Sequence, residues 1–289
     1  GYKNIEEDSV YLKFKIKNRE NEYILAWTTT PWTLPGNVAL AVGRDIEYVK
    51  IKQNNENYFL AKNLVNKIDG DYKIIEEMRG KDLVGVEYEP LFKDIIKKGD
   101  VNFDNAFKVY AADFVSTEDG TGVVHTAVMY GVEDYDLGEK IGLPKIHTVD
   151  LYGNFNDLVP QWRGKFVKDV EKEIIEELRK RNILYKTEKY THDYPFCWRC
   201  DAPLLYYAKD SWYFRISGLK DNLIKNNSKI NWIPEYIKEG RFGKWLEGAK
   251  DWALSRFKFW GTPLPIWRCG SCNREKIIGS IEELKKESV

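Results

Sequence analysis

Two stretches carry residue types whose spacing could do chemistry. The first is Ala26-Trp27-Thr28-Thr29-Thr30-Pro31-Trp32-Thr33-Leu34-Pro35-Gly36-Asn37, which ends an apolar strand-like run. Pro31 and Pro35 are expected to hold this backbone out of helix and stiffen it, leaving hydroxyls to face a polar ligand. The plainer reading is a turn whose threonines satisfy the local backbone. The second stretch is Gly120-Thr121-Gly122-Val123-Val124-His125-Thr126-Ala127, followed by Gly131-Val132-Glu133-Asp134-Tyr135-Asp136. Its glycines permit close backbone approach ahead of His125. A helix starting near Val132 puts Asp134 in its first turn, where the helix dipole favours an ionised, fixed carboxylate.

All four cysteines fall in two Cys-x-x-Cys pairs, Cys197/Cys200 and Cys269/Cys272. Two such knuckles supply four thiolates, the donor set of a structural zinc site with no open coordination position. A redox dithiol would need a thioredoxin-like strand-to-helix context that the sequence does not show. Of the three histidines, His147 and His192 lack a nearby constellation and read as structural or surface residues.

The elements that must position these groups follow from periodicity. Ser9 to Lys17 alternates Val10, Leu12, Phe14 and Ile16 against Tyr11, Lys13, Lys15 and Lys17, the pattern of a half-buried strand. Further strands are predicted at 23–28, 38–42, 47–52, 57–61, 107–111 and 122–126, giving a mostly β, barrel-like body. The clearest helix is Gly164 to Asn182, with Phe166, Val167, Val170, Ile174, Ile175 and Leu178 on one face. After about Tyr185 strand alternation gives way to aromatic-rich segments and a helix across Lys238 to Arg256. The expected division is a domain at 1–188 and a zinc-bearing segment at 189–289, ending in a charged helical tail from Ser280. The fold class is mixed α+β: a β-barrel-like domain with surrounding helices, then a smaller zinc-stapled α/β segment.

With 289 residues the chain exceeds what one core usually organises. Lys+Arg and Asp+Glu are equal at 45 each, so no overall basic field draws it to nucleic acid and any RNA contact must be local. No apolar stretch has the length of a membrane span and no apolar signal core follows a basic start, so no membrane partner is expected and the cytoplasm is the expected location.

The threonine loop and the His125/Asp134 segment together resemble the editing domain of isoleucyl-tRNA synthetase. The likeness continues through Thr191-His192-Asp193-Tyr194-Pro195-Phe196-Cys197-Trp198-Arg199-Cys200, Ser211-Trp212-Tyr213-Phe214-Arg215, Gly240-Arg241-Phe242-Gly243-Lys244-Trp245-Leu246 and Trp260-Gly261-Thr262-Pro263-Leu264-Pro265-Ile266-Trp267. The resemblance implies a catalytic set of Thr28, Thr29, Thr30, His125 and Asp134. Trp32, Thr33, Asn37, Gly122 and Val124 would complete the substrate pocket. Asp134 matches the family aspartate that pairs with the substrate α-ammonium, and His125 the histidine that limits side-chain size. The implied reaction is hydrolysis of the ester joining L-valine to the terminal ribose of tRNA(Ile), the second sieve of a proofreading enzyme. No Ser-His-Asp or Cys-His set and no Gly-x-Ser-x-Gly elbow is present, so water attack on an already activated ester is the expected route, and no general base is named.

The chain departs from the family where Val128-Met129-Tyr130 follows Ala127 in place of the usual proline, and Phe257 stands where a polar residue is common. It has neither the His-x-Gly-His nor the Lys-Met-Ser-Lys-Ser signature, so ATP and Mg2+ would belong only to the full-length enzyme. The segments near Trp212, Trp245, Trp252 and Trp260 are expected to pack on the remainder of the synthetase. The rival readings are a zinc-stapled tRNA-binding module without activity and a valyl- or leucyl-type editing domain.

Overall fold

The computed structural model describes residues 1–96, 101–255 and 263–288 and divides into two compact units, Gly1–Ala208 and Lys209–Val289. The first unit is built on one sheet whose strands are β1 (Tyr2–Lys15), β2 (Glu22–Thr28), β3 (Ala39–Val42), β4 (Glu47–Gln53), β5 (Glu56–Ala61), β6 (Lys73–Arg79), β7 (Lys108–Ala111), β8 (Val123–Thr126) and β9 (Leu184–Pro195). They run in the order β6-β4-β5-β2-β8-β3-β7, with β1 pairing both β2 and β9. The fold is mixed α/β around a curled half-barrel sheet.

Three registers matter for the site: Val10 opposite Thr28, Trp27 beside Val124, and Leu40 opposite His125. They bring the end of the threonine strand alongside β8. The alternation in β1 predicts burial on one face only, yet Ser9 to Phe14 is buried throughout. Lys13 tolerates this because its Nζ donates to Glu56 Oε2 at 3.1 Å and Asn182 Oδ1 at 3.0 Å, and Tyr11 because its hydroxyl donates to Glu188. Buried polar groups persist where they are paired.

The helices of this unit are two single turns, α1 (Gly80–Leu83) and α2 (Lys93–Ile96), and two longer elements, α3 (Val132–Ile141) and α4 (Glu171–Lys180). α4 is shorter than the expected 164–182. Gly164 sits at a φ of 75°, Val167–Val170 forms a 3-10 turn, and Asn182 at a φ of 55° ends the run. Its buried face is Ile174, Ile175 and Leu178, as the periodicity requires.

Strand character does not stop near Tyr185. β9 continues to Pro195 because the N-terminal half of β1 offers an open edge, pairing Tyr2 with Pro195 through Val10 with Thr187. A boundary at 188 would cut this strand, and the structure instead divides at Ala208/Lys209.

The second unit holds two ribbons, β10 (Tyr213–Phe214) with β11 (Trp252–Ala253) and β12 (Ile266–Arg268) with β13 (Glu275–Ile277). Its helices are α5 (Lys220–Ser228), α6 (Arg241–Glu247) and α7 (Ile281–Glu287). The helix expected over 238–256 is only α6, flanked by Gly240 and Gly248, since the chain has entered β11 by Trp252. Arg256, Phe257, Trp260, Gly261 and Thr262 lie outside the described residues. The charged tail is the helix α7, capped where Ser280 Oγ accepts from Glu283 N at 3.1 Å. Among the described residues no helix is long and apolar enough to cross a membrane.

Candidate functional site

β2 delivers Thr28 to the edge of the site, and the chain then folds into a 3-10 helix, Pro31–Gly36. The prolines therefore do not keep the loop out of helix: Pro31 occupies the first turn, where its missing N–H costs nothing. Thr28 Oγ1 accepts from Thr30 N at 3.1 Å and lies 3.2 Å from Thr30 Oγ1. Thr29 and Thr30 are half-buried, and Thr28 and Thr33 buried.

His125 projects from β8 into this loop and is buried, and both ring nitrogens are engaged. Asn37 Nδ2 lies 3.0 Å from Nδ1, and Thr33 Oγ1 lies 2.8 Å from Nε2. The amide nitrogen of Asn37 also donates to Ala39 O at 2.9 Å, and its Oδ1 accepts from the Tyr88 hydroxyl at 2.7 Å. Those partners fix the proton positions: Asn37 donates to Nδ1, so the ring proton sits on Nε2 and is donated to Thr33 Oγ1. Thr33 in turn donates to Thr30 O at 2.8 Å. Burial lowers the His125 pKa to about 4, so the ring is neutral at pH 7.

Asp134 is the third residue of α3, and its Oδ2 accepts from Ala127 N at 2.9 Å. Ala127 follows the His125 strand and approaches the loop, its Cβ being 3.8 Å from where a Cβ on Gly36 would lie. Trp32 and Tyr130 close the same seam, ring centroids 5.1 Å apart. The carboxyl does not behave as its helix position alone predicts. Desolvation outweighs the Ala127 hydrogen bond and raises its pKa to about 6, so it remains mostly ionised at pH 7 but titrates close by.

The structure thus joins Thr28, Thr30, Thr33, Asn37 and His125 in one hydrogen-bonded group and ties Asp134 to its margin. It does not bring Gly122 and Val124 with them. Side chains alternate along a strand, so Val124 faces away from His125, into a cavity of about 260 Å³ shared with Trp27, Phe114 and Asp119. Gly122, at a φ of 71°, serves packing: a Cβ there would lie 2.4 Å from Ala61 Cβ. Trp32 is 3% exposed and belongs to the core rather than to a ligand surface.

Tyr88 and Tyr130 escape a sequence reading. Tyr88 is buried between Phe14 and Phe107, with centroids at 5.2 and 6.0 Å. Tyr130 lies in the Val128-Met129-Tyr130 insertion, and its hydroxyl oxygen accepts from Thr148 N at 2.7 Å and Val149 N at 3.0 Å. All three inserted residues are buried, so the departure from proline builds a core plug against α3. Of the other histidines, His147 stacks on Tyr207 at 4.4 Å and His192 Nε2 lies 3.3 Å from Glu7 Oε2.

One cysteine pair lies in each unit, and the two knuckles are built alike. Cys197 N donates to Ala202 O and Cys269 N to Arg274 O, both at 2.8 Å; Asp201 and Asn273, each following the second cysteine, take φ values of 59° and 54°. Backbone amides from Cys200 and Arg199, and from Cys272 and Ser271, lower the Cys197 and Cys269 pKa values. Thiols so activated fit a metal ligand set. Among the described residues no three His, Cys, Asp or Glu side chains converge on one point.

Residues 8–289 match the family described as tRNA synthetases class I (I, L, M and V). The chain belongs to the class I tRNA synthetases. Within that family it is 52% identical to an isoleucine–tRNA ligase of Clostridium novyi and 48% identical to one of Picrophilus torridus, over 100% and 99% of its own length. It spans 27% of either relative. Among solved structures, the editing domains of the cytosolic leucyl-tRNA synthetases of P. falciparum and P. knowlesi are 12% and 13% identical, with TM-scores of 0.48 and 0.45. Those matches cover 63% and 64% of this synthetase chain and 99% and 97% of the neighbours.

Proposed function

We propose that this chain is the proofreading part of an isoleucine-type synthetase and hydrolyses the ester joining L-valine to the terminal ribose of tRNA(Ile). The observation that carries the reading is Asp134: a half-buried carboxylate with one oxygen held by Ala127 N, two residues after His125, whose ring is hydrogen-bonded to Thr33 of the threonine loop. Its other oxygen has no hydrogen-bond partner among the described residues and suits an α-ammonium. Thr28, Thr29 and Thr30 would bind the ester and its attacking water. His125 has neither a free lone pair nor a free proton, which supports a role in shaping the pocket rather than in proton transfer.

The partners in this reading are the aminoacyl end of tRNA(Ile) and the remainder of the synthetase, which supplies ATP and Mg2+ chemistry, in the cytoplasm. Cys197, Cys200, Cys269 and Cys272 would hold a structural zinc, whose chemistry is to fix the chain.

The test is deacylation of Val-tRNA(Ile) by this chain and by Asp134→Ala. Loss of an ammonium partner is expected to slow the variant about a hundredfold. Hydrolysis of Thr-tRNA(Val) or of a mischarged tRNA(Leu) in preference would reassign the chain to valyl- or leucyl-type editing. Binding without hydrolysis of any ester would leave a tRNA-binding module.

A further inference from the structure

The loop, β8 and the segment carrying Tyr88 meet in a hydrogen-bond chain that runs in one direction. The Tyr88 hydroxyl donates to Asn37 Oδ1, Asn37 Nδ2 to His125 Nδ1, His125 Nε2 to Thr33 Oγ1, and Thr33 to the Thr30 carbonyl. We propose that Tyr88 is a positioning residue for the threonine wall: by fixing the Asn37 amide it selects the Nε2–H tautomer of His125 and so commits the Thr33 hydroxyl to Thr30 O. The proposal rests on the editing reading for its consequence in activity, but not for the tautomer.

A reversed chain shows what Tyr88 prevents. If the Asn37 amide turned over, its oxygen would face Nδ1, the ring proton would move there, and Nε2 would become an acceptor. The Thr33 proton would then go to Nε2, and the Thr30 carbonyl would lose one of its two donors, keeping only Thr33 N at 3.0 Å. Two groups oppose this turn: the Ala39 carbonyl, 2.9 Å from Nδ2, which can only accept, and the buried Tyr88 hydroxyl, which could accept from the turned amide but whose proton would lose its acceptor Oδ1. Tyr88 holds its end firmly. It is 1% exposed, its ring is wedged edge-on against Phe14 and Phe107, and its backbone N–H donates to Phe107 O at 2.9 Å. Thr30 Oγ1 lies between Thr28 Oγ1 and Thr33 Oγ1 at 3.2 and 3.4 Å, so the wall meets the chain at Thr33.

Tyr88→Phe removes one oxygen and preserves the ring packing. The experiment is nitrogen-15 NMR of ring-labelled histidine, in which only three imidazoles contribute, with deacylation of Val-tRNA(Ile) measured alongside. The unaltered chain is expected to show His125 as pure Nε2–H. The variant should show a mixture with the Nδ1–H form and a kcat lower by about tenfold at near-constant KM, the size of one lost neutral hydrogen bond. A merely structural tyrosine would lower the melting temperature and leave tautomer and kcat alone. The proposal is overturned if the unaltered chain holds Nδ1–H, a result that needs no variant to fold, or if Tyr88→Phe keeps pure Nε2–H. A chain that deacylates nothing would remove the editing reading, while the tautomer result would still decide the role of Tyr88.

Discussion

Replacing Asp134 by Asn separates what this carboxylate does for the substrate from what it costs the fold. Moving the carboxyl from its ordinary 3.8 to about 6 on folding disfavours the charged form by about 3 kcal/mol, each tenfold change in proton affinity being worth ~1.4 kcal/mol. Asp134 is half-buried rather than fully enclosed, so about 1–3 kcal/mol is the expected range at pH 7. The sign follows from linkage: a folded-state pKa above the unfolded one gives stability that is complete below pH 3.8 and lost as pH rises through about 6. Asparagine keeps an oxygen for Ala127 N and carries no charge. Asp134→Asn should therefore be more stable than the parent in urea titrations at pH 7 and equal to it near pH 4. Taking the difference between the two proteins cancels other groups that titrate nearby, such as Glu171, whose burial raises it to about 7. An Asn variant no more stable at pH 7, or a difference that does not change between pH 4 and 7, would refute the argument. Stability gained with activity lost is the expected signature of a site that retains a strained charge.

Three other outcomes follow from the same geometry. Deacylation at limiting substrate should rise about tenfold per pH unit below about 6 as Asp134 ionises, show no inflection from His125, which titrates near 4, and fall only where the substrate α-ammonium loses its proton, at about pH 8; a pH–rate profile reads all three. Gly122→Ala should destabilise the first unit by about 2–4 kcal/mol in a denaturant titration, from the positive φ and the 2.4 Å approach to Ala61 Cβ; a loss below about 0.5 kcal/mol would contradict the packing role. Metal analysis of the purified chain should find one zinc per four thiols, and Cys269→Ser should lower both zinc content and melting temperature; a metal-free chain indifferent to chelators would remove the zinc proposal.

Much of the first unit is legible in its sequence because β1 alternates and β2 to β5, β7 and β8 are short runs rich in apolar residues separated by Gly, Asn and Asp clusters. β6 and β9 escape for a physical reason: β6 is exposed on nearly every residue and β9 is mostly polar, so both are strands through pairing with β4 and β1 rather than through burial. Glycine and asparagine in left-handed conformations, at Gly164 and Asn182, keep the helix shorter than its apolar spacing alone predicts. At the site, the threonine loop, His125 and Asp134 are visible through the motif. The side of β8 on which each residue sits is not visible in the motif, and strand alternation sends Val124 and His125 to opposite faces. Tyr88 could not be found at all, since its link to Asn37 spans 51 residues and exists only once Phe107 and Phe14 enclose its ring. The raised pKa of Asp134 has the same origin: a first-turn position argues for easy ionisation, and only tertiary burial reverses it.

The most direct measurement is a structure of this chain with a non-hydrolysable valyl amide of 3′-amino-adenosine. The account predicts Asp134 Oδ1 about 3 Å from the α-ammonium, with the carbonyl group against Thr28 to Thr30. An ammonium held by any other group, with Asp134 still bound only to Ala127 N, would contradict it.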